Sequence, residues 1–225
     1  MKAFENFLLS VPNVKVIDSG NSDVKYILLD LSATNTEIQN IPDALAFENH
    51  IEEYLSANHA KVAYGGYNEK RTLYKRSELF DDAAFEKRDI HIGMDLWIKA
   101  GTAVLAAVDG KIHSFANNTG IGNYGPTIIL KHQFENHIFY TLYGHLSVES
   151  LQQLEIGQTF RQGEIIGTLG DHTVNGDYAP HLHFQIIKNI EGYFGDYPGV
   201  CALRNLEYYL ENCPDPNLLL KVNTH

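Results

Sequence analysis

Two histidines stand one residue apart in the stretch PHLHFQ at residues 180–185. The stretch suits a β-strand, in which successive side chains point to opposite faces of the sheet. His181 and His183 would then project from the same face, while Leu182 would enter a core behind them. Two imidazoles on one face can bind a metal or move protons, although a pair of surface histidines has the same pattern. The choice depends on the rest of the sequence.

The stretch HIGMD at residues 91–95 offers further metal-ligand chemistry. On a strand His91, Gly93 and Asp95 share a face, and Gly93 leaves space that we expect an ion to occupy. Nitrogen and oxygen ligands suit Zn²⁺, and a catalytic zinc typically has three protein ligands and one open position. His91, Asp95 and one imidazole of the HLH pair would complete such a set. A structural hydrogen bond between His91 and Asp95 is the alternative interpretation.

The stretch YTLYGHLS adds a fifth candidate site residue, His145. On a strand His145 would share one face with Tyr143. Hydrolysis at a zinc site needs a group that accepts the proton of the attacking water and a group that stabilises the oxyanion. With three groups on zinc, His145 and the remaining imidazole of the HLH pair are free for those tasks. We expect Tyr143 to stand at the wall of the substrate groove.

The segment before these motifs, residues 1–87, predicts an α+β extension. Residues 24–32 read VKYILLDLS and are typical of a strand. Residues 43–58 place apolar side chains at helical spacing, with Asp43 as the N-cap. From its length and mixed polar character, we expect this extension to gate the groove.

Residues 88–190 predict an antiparallel all-β unit, because short β-rich runs alternate with Gly, Asn and Asp. Two runs, KAGTAVLAAVDGKI and EIGQTFRQGEIIGTLG, are similar in shape and indicate a weakly repeated hairpin. Residues 191–225 predict a tail with a short helix that packs on the sheet. Cys201 and Cys213 lie in this tail without the spacing of a metal motif, and we expect them to be ordinary thiols.

The composition excludes some classes of partner. The chain has 225 residues, with 17 Lys and Arg against 28 Asp and Glu, for a formal net charge of −11. Binding to a nucleic-acid backbone needs clustered cations, so nucleic acid is not expected as a partner. The sequence shows no segment typical of a membrane span and no signal-peptide pattern, so we expect a cytoplasmic protein.

Taken in order, HIGMD, YGHLS and HLHF resemble the motifs of the lysostaphin-type (LytM-like) zinc metallopeptidases, over roughly residues 88–190. The resemblance implies a two-sheet antiparallel β-sandwich with a repeated hairpin motif and a groove across the metal. It implies that His91, Asp95 and His183 bind one zinc per chain and that His145 and His181 are catalytic. Many members of this family cut peptide cross-links of bacterial cell walls, so the resemblance implies a peptide or peptidoglycan substrate.

Two features depart from the usual pattern of that family. Residues 170–180 replace a short Ser/Thr-Gly loop that commonly borders the groove, and Gln185 replaces a common Glu. The segment before YGHLS and the ending CPDPNLLL resemble a subgroup of domains fused to class III aminotransferases. Because the sequence also shows no signal-peptide pattern, a cell-wall substrate requires that the protein reach the cell envelope by another route.

Three functions compete on this sequence. The leading one is a zinc metalloendopeptidase that activates water with the help of two histidines. A catalytically inactive regulatory module that binds peptide or cell wall is the second, although the presence of all five motif residues argues against it. A IIA-type sugar phosphocarrier is the third, and it leaves Asp95 and the HLH pair unexplained.

Overall fold

The computed structural model describes residues 3–20, 24–71, 87–134 and 137–222. The α-helices of this part are α1 (Ala3–Ser10), α2 (Ala44–Ala57), α3 (Leu206–Asn212) and α4 (Asn217–Leu220). The strands that precede the YGHLS motif are β1 (Tyr26–Leu28), β2 (Val62–Gly65), β3 (Glu69–Lys70), β4 (Arg88–His91), β5 (Met94–Trp97), β6 (Ala103–Leu105), β7 (Gly110–Asn118), β8 (Gly125–Phe134) and β9 (His137–Gly144). The strands that follow it are β10 (Thr159–Phe160), β11 (Ile165–Thr168), β12 (His181–Ile187) and β13 (Val200–Ala202).

The largest sheet has eight strands in the order β1-β2-β5-β12-β9-β8-β7-β10. All its neighbouring strands are antiparallel except β1 and β2, which run parallel. Strand β12, which carries the HLH pair, lies between β5 and β9, and each of its residues is buried. An interior strand paired on both sides has little freedom to shift, so β12 is a rigid support for its histidines.

Two smaller sheets complete the strand structure of the described residues: β11 pairs with β6, and β4 lies between β13 and β3. The fold is mainly β with several sheets, as predicted. The narrower expectation of a two-sheet sandwich is not confirmed, since the described strands form three sheets. Among these residues, no helix is both long and apolar enough to cross a membrane.

The N-terminal extension is built into these sheets. As predicted, Asp43 caps α2, and its carboxylate accepts a hydrogen bond from the Ala46 amide at 2.8 Å. Strand β2 pairs with β5, placing Gly65 opposite Asp95, and β3 pairs with β4, placing Glu69 opposite His91. The boundary that we predict at residue 87 is therefore crossed by two strand pairings, both next to motif residues.

The main core lies behind the HLH strand. Leu182, Phe184 and Ile186 are fully buried in it, as the strand alternation predicts, and α1 and α4 contribute further apolar side chains. Tyr143 also belongs to this core and is not at the cavity wall, contrary to our expectation. Its hydroxyl accepts a hydrogen bond from the Ala107 amide at 2.9 Å, and burial raises its pKa to about 12.

The expected position of Tyr143 at the groove wall was wrong for a geometric reason. Strand β9 ends at Gly144, and His145 adopts a φ of 62°, so the two-residue alternation stops between Tyr143 and His145. Tyr143 faces the core opposite Phe184, while Gly144 is opposite His183 on the other face. His145 thus reaches the face of the HLH histidines by a left-handed backbone turn.

His132 on β8 is a buried histidine outside the motifs. Its Nδ1 lies 2.9 Å from the Asp109 carbonyl oxygen, and its Nε2 lies 2.7 Å from the Thr141 hydroxyl. Burial lowers the pKa of His132 to about 4. The imidazole is therefore neutral in the folded protein at pH 7 and resists protonation.

This burial predicts a contribution to acid sensitivity. Between pH 6.5 and about 4 the unfolded chain protonates His132 while the folded chain does not, so folding stability is lost as pH falls through this window. The pKa difference corresponds to about 3 kcal/mol. In urea unfolding, we expect the stability gap between wild type and His132→Asn to shrink by about this amount from pH 7 to pH 4.

The exposed His59 provides a matched control, and His59→Asn should leave the acid sensitivity of unfolding unchanged. An equal gap between wild type and His132→Asn at both pH values would contradict the prediction.

Candidate metal centre

The three predicted ligands lie close together, on two strands of the large sheet and one strand of the three-stranded sheet. His91 ends β4, Asp95 lies on β5, and His183 lies on β12 directly opposite Asp95. All three residues are buried, with relative exposures of 2% each. Among the described residues, these are the side chains whose His and Asp ligand atoms cluster closely enough to hold a metal.

The distances within this group suit a tetrahedral ion. His91 Nε2 lies 2.9 Å from His183 Nδ1 and 3.3 Å from Asp95 Oδ1, and His183 Nδ1 lies 3.1 Å from the same oxygen. Ligands at about 2.0 to 2.1 Å from a tetrahedral zinc would be separated by about 3.3 Å. The three atoms therefore have nearly the spacing of one face of a zinc tetrahedron.

Hydrogen bonds on the far side of each ring favour the tautomer that a metal needs. His91 Nδ1 lies 2.8 Å from the Gly66 carbonyl oxygen, which can only accept, so Nδ1 carries the proton and Nε2 keeps its lone pair. His183 Nε2 lies 3.0 Å from Gln185 Oε1, which leaves the lone pair on Nδ1. Such outer hydrogen bonds orient metal-bound histidines and raise their basicity.

The Gln185 amide is itself oriented by two acceptors. Its Nε2 donates to the Pro198 carbonyl oxygen at 3.1 Å and to Cys213 Sγ at 3.3 Å, so Oε1 has to face His183. Cys201 and Cys213 are buried free thiols, in agreement with the interpretation of them as ordinary cysteines. Cys213 nevertheless contributes to the site indirectly, through Gln185.

The electrostatics keep His91 and Asp95 deprotonated at neutral pH. Burial, aided by the Arg71 guanidinium, lowers the pKa of His91 to about 4. Burial alone would raise the pKa of Asp95, but His91 and Arg71 together hold it well below its usual range. Arg71 Nη1 donates to Asp95 Oδ2 at 2.6 Å, opposite the oxygen that faces the histidines. Metal binding requires neutral imidazoles and an ionised carboxylate.

Gly93 has a different role from the one that the sequence suggests. A Cβ atom at Gly93 would overlap the His183 ring. The space beside Gly93 is therefore filled by the imidazole of a ligand, whereas we expected an ion there. The ion site that the three ligand atoms outline is bounded by the side chains of His91, Asp95 and His183.

The two predicted catalytic histidines lie beside this group. The ring centroids of His145 and His181 are 4.2 Å apart, and His181 Nε2 lies 3.9 Å from Asp95 Oδ1. Each ring donates Nδ1–H to a backbone carbonyl at 2.7 Å, His145 to Asn175 and His181 to Ala179. Burial lowers the pKa of both imidazoles. Both are therefore neutral near pH 7, with Nε2 available to accept a proton.

A cavity opens over these five residues. The atypical loop at residues 170–180 borders it, as predicted, through Tyr178 and Ala179. The N-terminal extension contributes Leu31, Phe47 and Arg71. Its full set of lining residues is Leu31, Phe47, Arg71, Arg88, His91, Asp95, Trp97, Gly122, Asn123, Tyr124, His145, Tyr178, Ala179, His181, His183, Asp196, Tyr197, Pro198, Gly199 and Val200.

Sequence reasoning did not identify Arg71, Gly66 or Tyr124 as parts of the site. Tyr124 Oη lies 3.3 Å from His183 Nε2, and a Cβ atom at Gly144 would press against the Tyr124 ring. None of the three residues belongs to a stretch with metal-ligand spacing. Their roles arise from strand pairing and loop packing, for which the local sequence carries no signal.

Comparison with known proteins shows that the motif region is similar to a family of peptidases. Residues 89–193 match the family model of peptidase family M23. The chain is 33% identical over 100 residues to the peptidoglycan DD-endopeptidase ShyC of Vibrio cholerae, a match that covers 44% of this chain and 20% of that protein. It is 33% identical over 99 residues to the glycyl-glycine endopeptidase ALE-1 of Staphylococcus capitis, covering 44% and 25%.

The motif region is thus similar to the peptidases of family M23, which are metallo-endopeptidases. The family model and these relatives do not show the narrower subgroup fused to aminotransferases. The chain spans a quarter or less of the length of these two relatives. Among solved structures, the catalytic domain of lysostaphin from Staphylococcus simulans is 23% identical, with a TM-score of 0.42 over 70% of this chain and 96% of that one.

The contact between His183 and Gln185 predicts a role for Gln185 in metal affinity. Gln185→Leu removes the acceptor for His183 Nε2–H, and we expect zinc affinity to fall about 10- to 100-fold, as is typical for loss of such a partner. Competition with a chromophoric chelator measures the affinity. Gln185→Glu keeps an acceptor and should lose less affinity than Gln185→Leu.

Gln133 is exposed on β8, and Gln133→Leu is the matched control for loss of a glutamine. Wild-type zinc affinity in a folded Gln185→Leu variant would contradict the role of Gln185.

Proposed function

We propose that this protein is a zinc metalloendopeptidase that hydrolyses peptide bonds, with one zinc held by His91, Asp95 and His183. The observation that carries the proposal is the convergence of Nε2, Oδ1 and Nδ1 of these residues at mutual distances of 2.9 to 3.3 Å. Each ring presents its lone pair inward, because its other nitrogen donates outward.

The three proposed ligands are chemically suited to a catalytic zinc. Two imidazoles and one carboxylate are ligands that zinc prefers, and three protein ligands leave a fourth position open beside the cavity. When bound, zinc would polarise a carbonyl group and lower the pKa of a water molecule to about 7. No Glu base of a helical H-E-x-x-H motif is present in the sequence, so proton transfer has to come from other groups.

His145 and His181 supply that proton transfer in our proposal. Both rings are neutral and held by backbone carbonyls, so each can take a proton at Nε2 without reorienting. One imidazole accepts the proton of the attacking water. The other ring takes up a proton from solvent at Nε2 as the oxyanion develops, because the negative charge of the oxyanion favours the protonated ring, and it then donates a hydrogen bond to that oxyanion. The proton taken from the attacking water passes to the leaving amine nitrogen.

The substrate in our proposal is a peptide, with a small residue next to the scissile bond. The two relatives are named as endopeptidases of peptidoglycan and of glycyl-glycine bonds. In this chain the cavity is bordered by buried Trp97 and by Tyr124 and Tyr178. We expect these rings to disfavour bulky groups beside the histidines. Peptidoglycan cross-links are the proposed target if the protein reaches the cell envelope.

The competing functions fit the arrangement less well. A regulatory module that has lost catalysis has no need for two neutral histidines with free Nε2 atoms beside a ligand set. A phosphocarrier histidine has to accept a dianionic phosphoryl group, yet His91 Nε2 lies 3.3 Å from the buried Asp95 carboxylate. Repulsion between these charges in a buried site disfavours phosphorylation of His91.

Substitution of single histidines should separate metal binding from catalysis. We expect His183→Ala to lose zinc, and we expect His181→Ala and His145→Ala to keep zinc and lose turnover, because ligands set affinity while proton-transfer groups set rate. General acid–base groups typically contribute about 10²- to 10⁴-fold to the rate. Zinc content and peptide cleavage measured on the same samples provide the comparison.

A metal-free His181→Ala protein beside a zinc-loaded His183→Ala protein would reverse the assignment within the HLH pair.

Cleavage itself is tested with zinc-loaded protein, cross-linked cell-wall peptide and a panel of glycine- and alanine-containing peptides, with new amino groups detected by mass spectrometry. We expect cleavage that stops with a chelator, returns with added zinc and is absent in His145→Ala. Matched peptides with Phe or Trp at the scissile bond should be cut more slowly, because bulky groups meet the cavity walls. Folded, zinc-bound protein that cuts none of these peptides would favour the binding module.

A further inference from the structure

We propose that Arg71 is a positioning residue that holds one oxygen of Asp95, so that the carboxylate offers only its other oxygen to a metal. This inference rests on the function proposed above. It concerns a residue of the N-terminal extension, outside the segment at residues 89–193 that matches the peptidase family.

The two oxygens of the Asp95 carboxylate contact different partners. Oδ2 accepts a hydrogen bond from Arg71 Nη1 at 2.6 Å, whereas Oδ1 lies 3.1 Å from His183 Nδ1 and 3.3 Å from His91 Nε2. Both side chains of the ion pair are buried, with 4% of Arg71 and 3% of Asp95 exposed. A charge-assisted bond this short restrains Oδ2 and leaves Oδ1 directed at the imidazoles.

Arg71 is held in place by contacts with the extension and with the β unit that follows it. Its Nε donates to Glu69 Oε2 at 2.7 Å, and Glu69 Oε1 accepts the Leu31 amide at 3.2 Å. The guanidinium carbon lies 5.8 Å from the centre of the Trp97 ring, and the Arg71 backbone amide donates to the Asp89 carbonyl oxygen at 2.8 Å. These contacts orient the guanidinium before any metal is present, which a positioning role requires.

A purely structural ion pair would have the same contacts but different consequences. Removing Arg71 from such a pair would lower stability and leave metal binding unchanged once the protein is folded. Removing a positioning residue frees Oδ2 to approach the metal as a second oxygen ligand, which changes both affinity and coordination. Metal binding by folded variants therefore distinguishes the two roles.

The experiment uses the full chain as wild type, Arg71→Met and Arg71→Lys, with folding checked by circular dichroism. Zinc affinity is measured by chelator competition, and Co²⁺ loading gives a visible spectrum that depends on coordination number. We expect Arg71→Met to bind zinc about 10- to 100-fold more weakly and to show an altered cobalt spectrum. Arg71→Lys keeps the charge without the planar fork, so it should be intermediate in both readouts.

Arg161 is exposed and lies outside the cavity, so Arg161→Met is the matched control and should resemble wild type. If Arg71→Met does not fold, the zinc affinity and cobalt spectrum of Arg71→Lys alone test the proposal. Folded variants with wild-type zinc affinity and a wild-type cobalt spectrum would overturn the proposal for Arg71 only. A wild-type protein that binds no zinc would instead overturn the proposed function.

Discussion

The buried charge of Asp95 is the constraint on which the rest of the site depends. A carboxylate removed from water is costly unless cations or hydrogen-bond donors surround it, and loss of one partner of a buried ion pair typically costs about 3 to 5 kcal/mol. Here Arg71 donates to Oδ2, whereas Oδ1 faces the lone pairs of His91 and His183 and receives no proton donor from them. A divalent metal among the three ligand atoms would add positive charge where the carboxylate directs its free oxygen.

The sheet provides the rigidity that this arrangement needs. The pairing of β12 with β5 sets His183 opposite Asp95, and the pairing of β2 with β5 sets Gly65 opposite the same residue. The N-terminal extension thereby supplies the Gly66 carbonyl oxygen to His91 and the Arg71 guanidinium to Asp95. The gating role of this extension stays a prediction. Deleting the extension would also remove β1, β2 and β3 and two hydrogen-bond partners of the proposed ligands, so the loss of these contacts has to be separated from gating.

Strand periodicity predicted the parts of the site that follow a two-residue repeat. His181, Leu182 and His183 occupy the faces that the alternation assigns to them. Contrary to our expectation, HIGMD is not one strand, because residues 92 and 93 separate β4 from β5, which belong to different sheets. It nevertheless brings His91 and Asp95 to the same place as His183. The prediction for Tyr143 was wrong because β9 ends at Gly144 and the positive φ of His145 interrupts the repeat. The two-sheet arrangement came from family resemblance, and the described strands do not confirm it.

Arg71 could not be predicted from the sequence for a different reason. It lies 24 residues before Asp95, and nothing in the spacing of the two residues indicates a contact. Their approach depends on the β2–β5 and β3–β4 pairings, which follow from tertiary packing and not from a local pattern. The Gln185 amide shows the same limit, since its orientation is set by Pro198 and Cys213 from the C-terminal tail.

The central claim is that His91, Asp95 and His183 form a zinc site, and metal analysis of protein purified without added zinc tests it most directly. Our account predicts about one zinc per chain by mass spectrometry of the metal, with X-ray absorption showing nitrogen and oxygen ligands at about 2.0 to 2.2 Å and no sulfur. Less than about a tenth of an equivalent, even after zinc titration of folded protein at neutral pH, would contradict the account, as would zinc bound through sulfur.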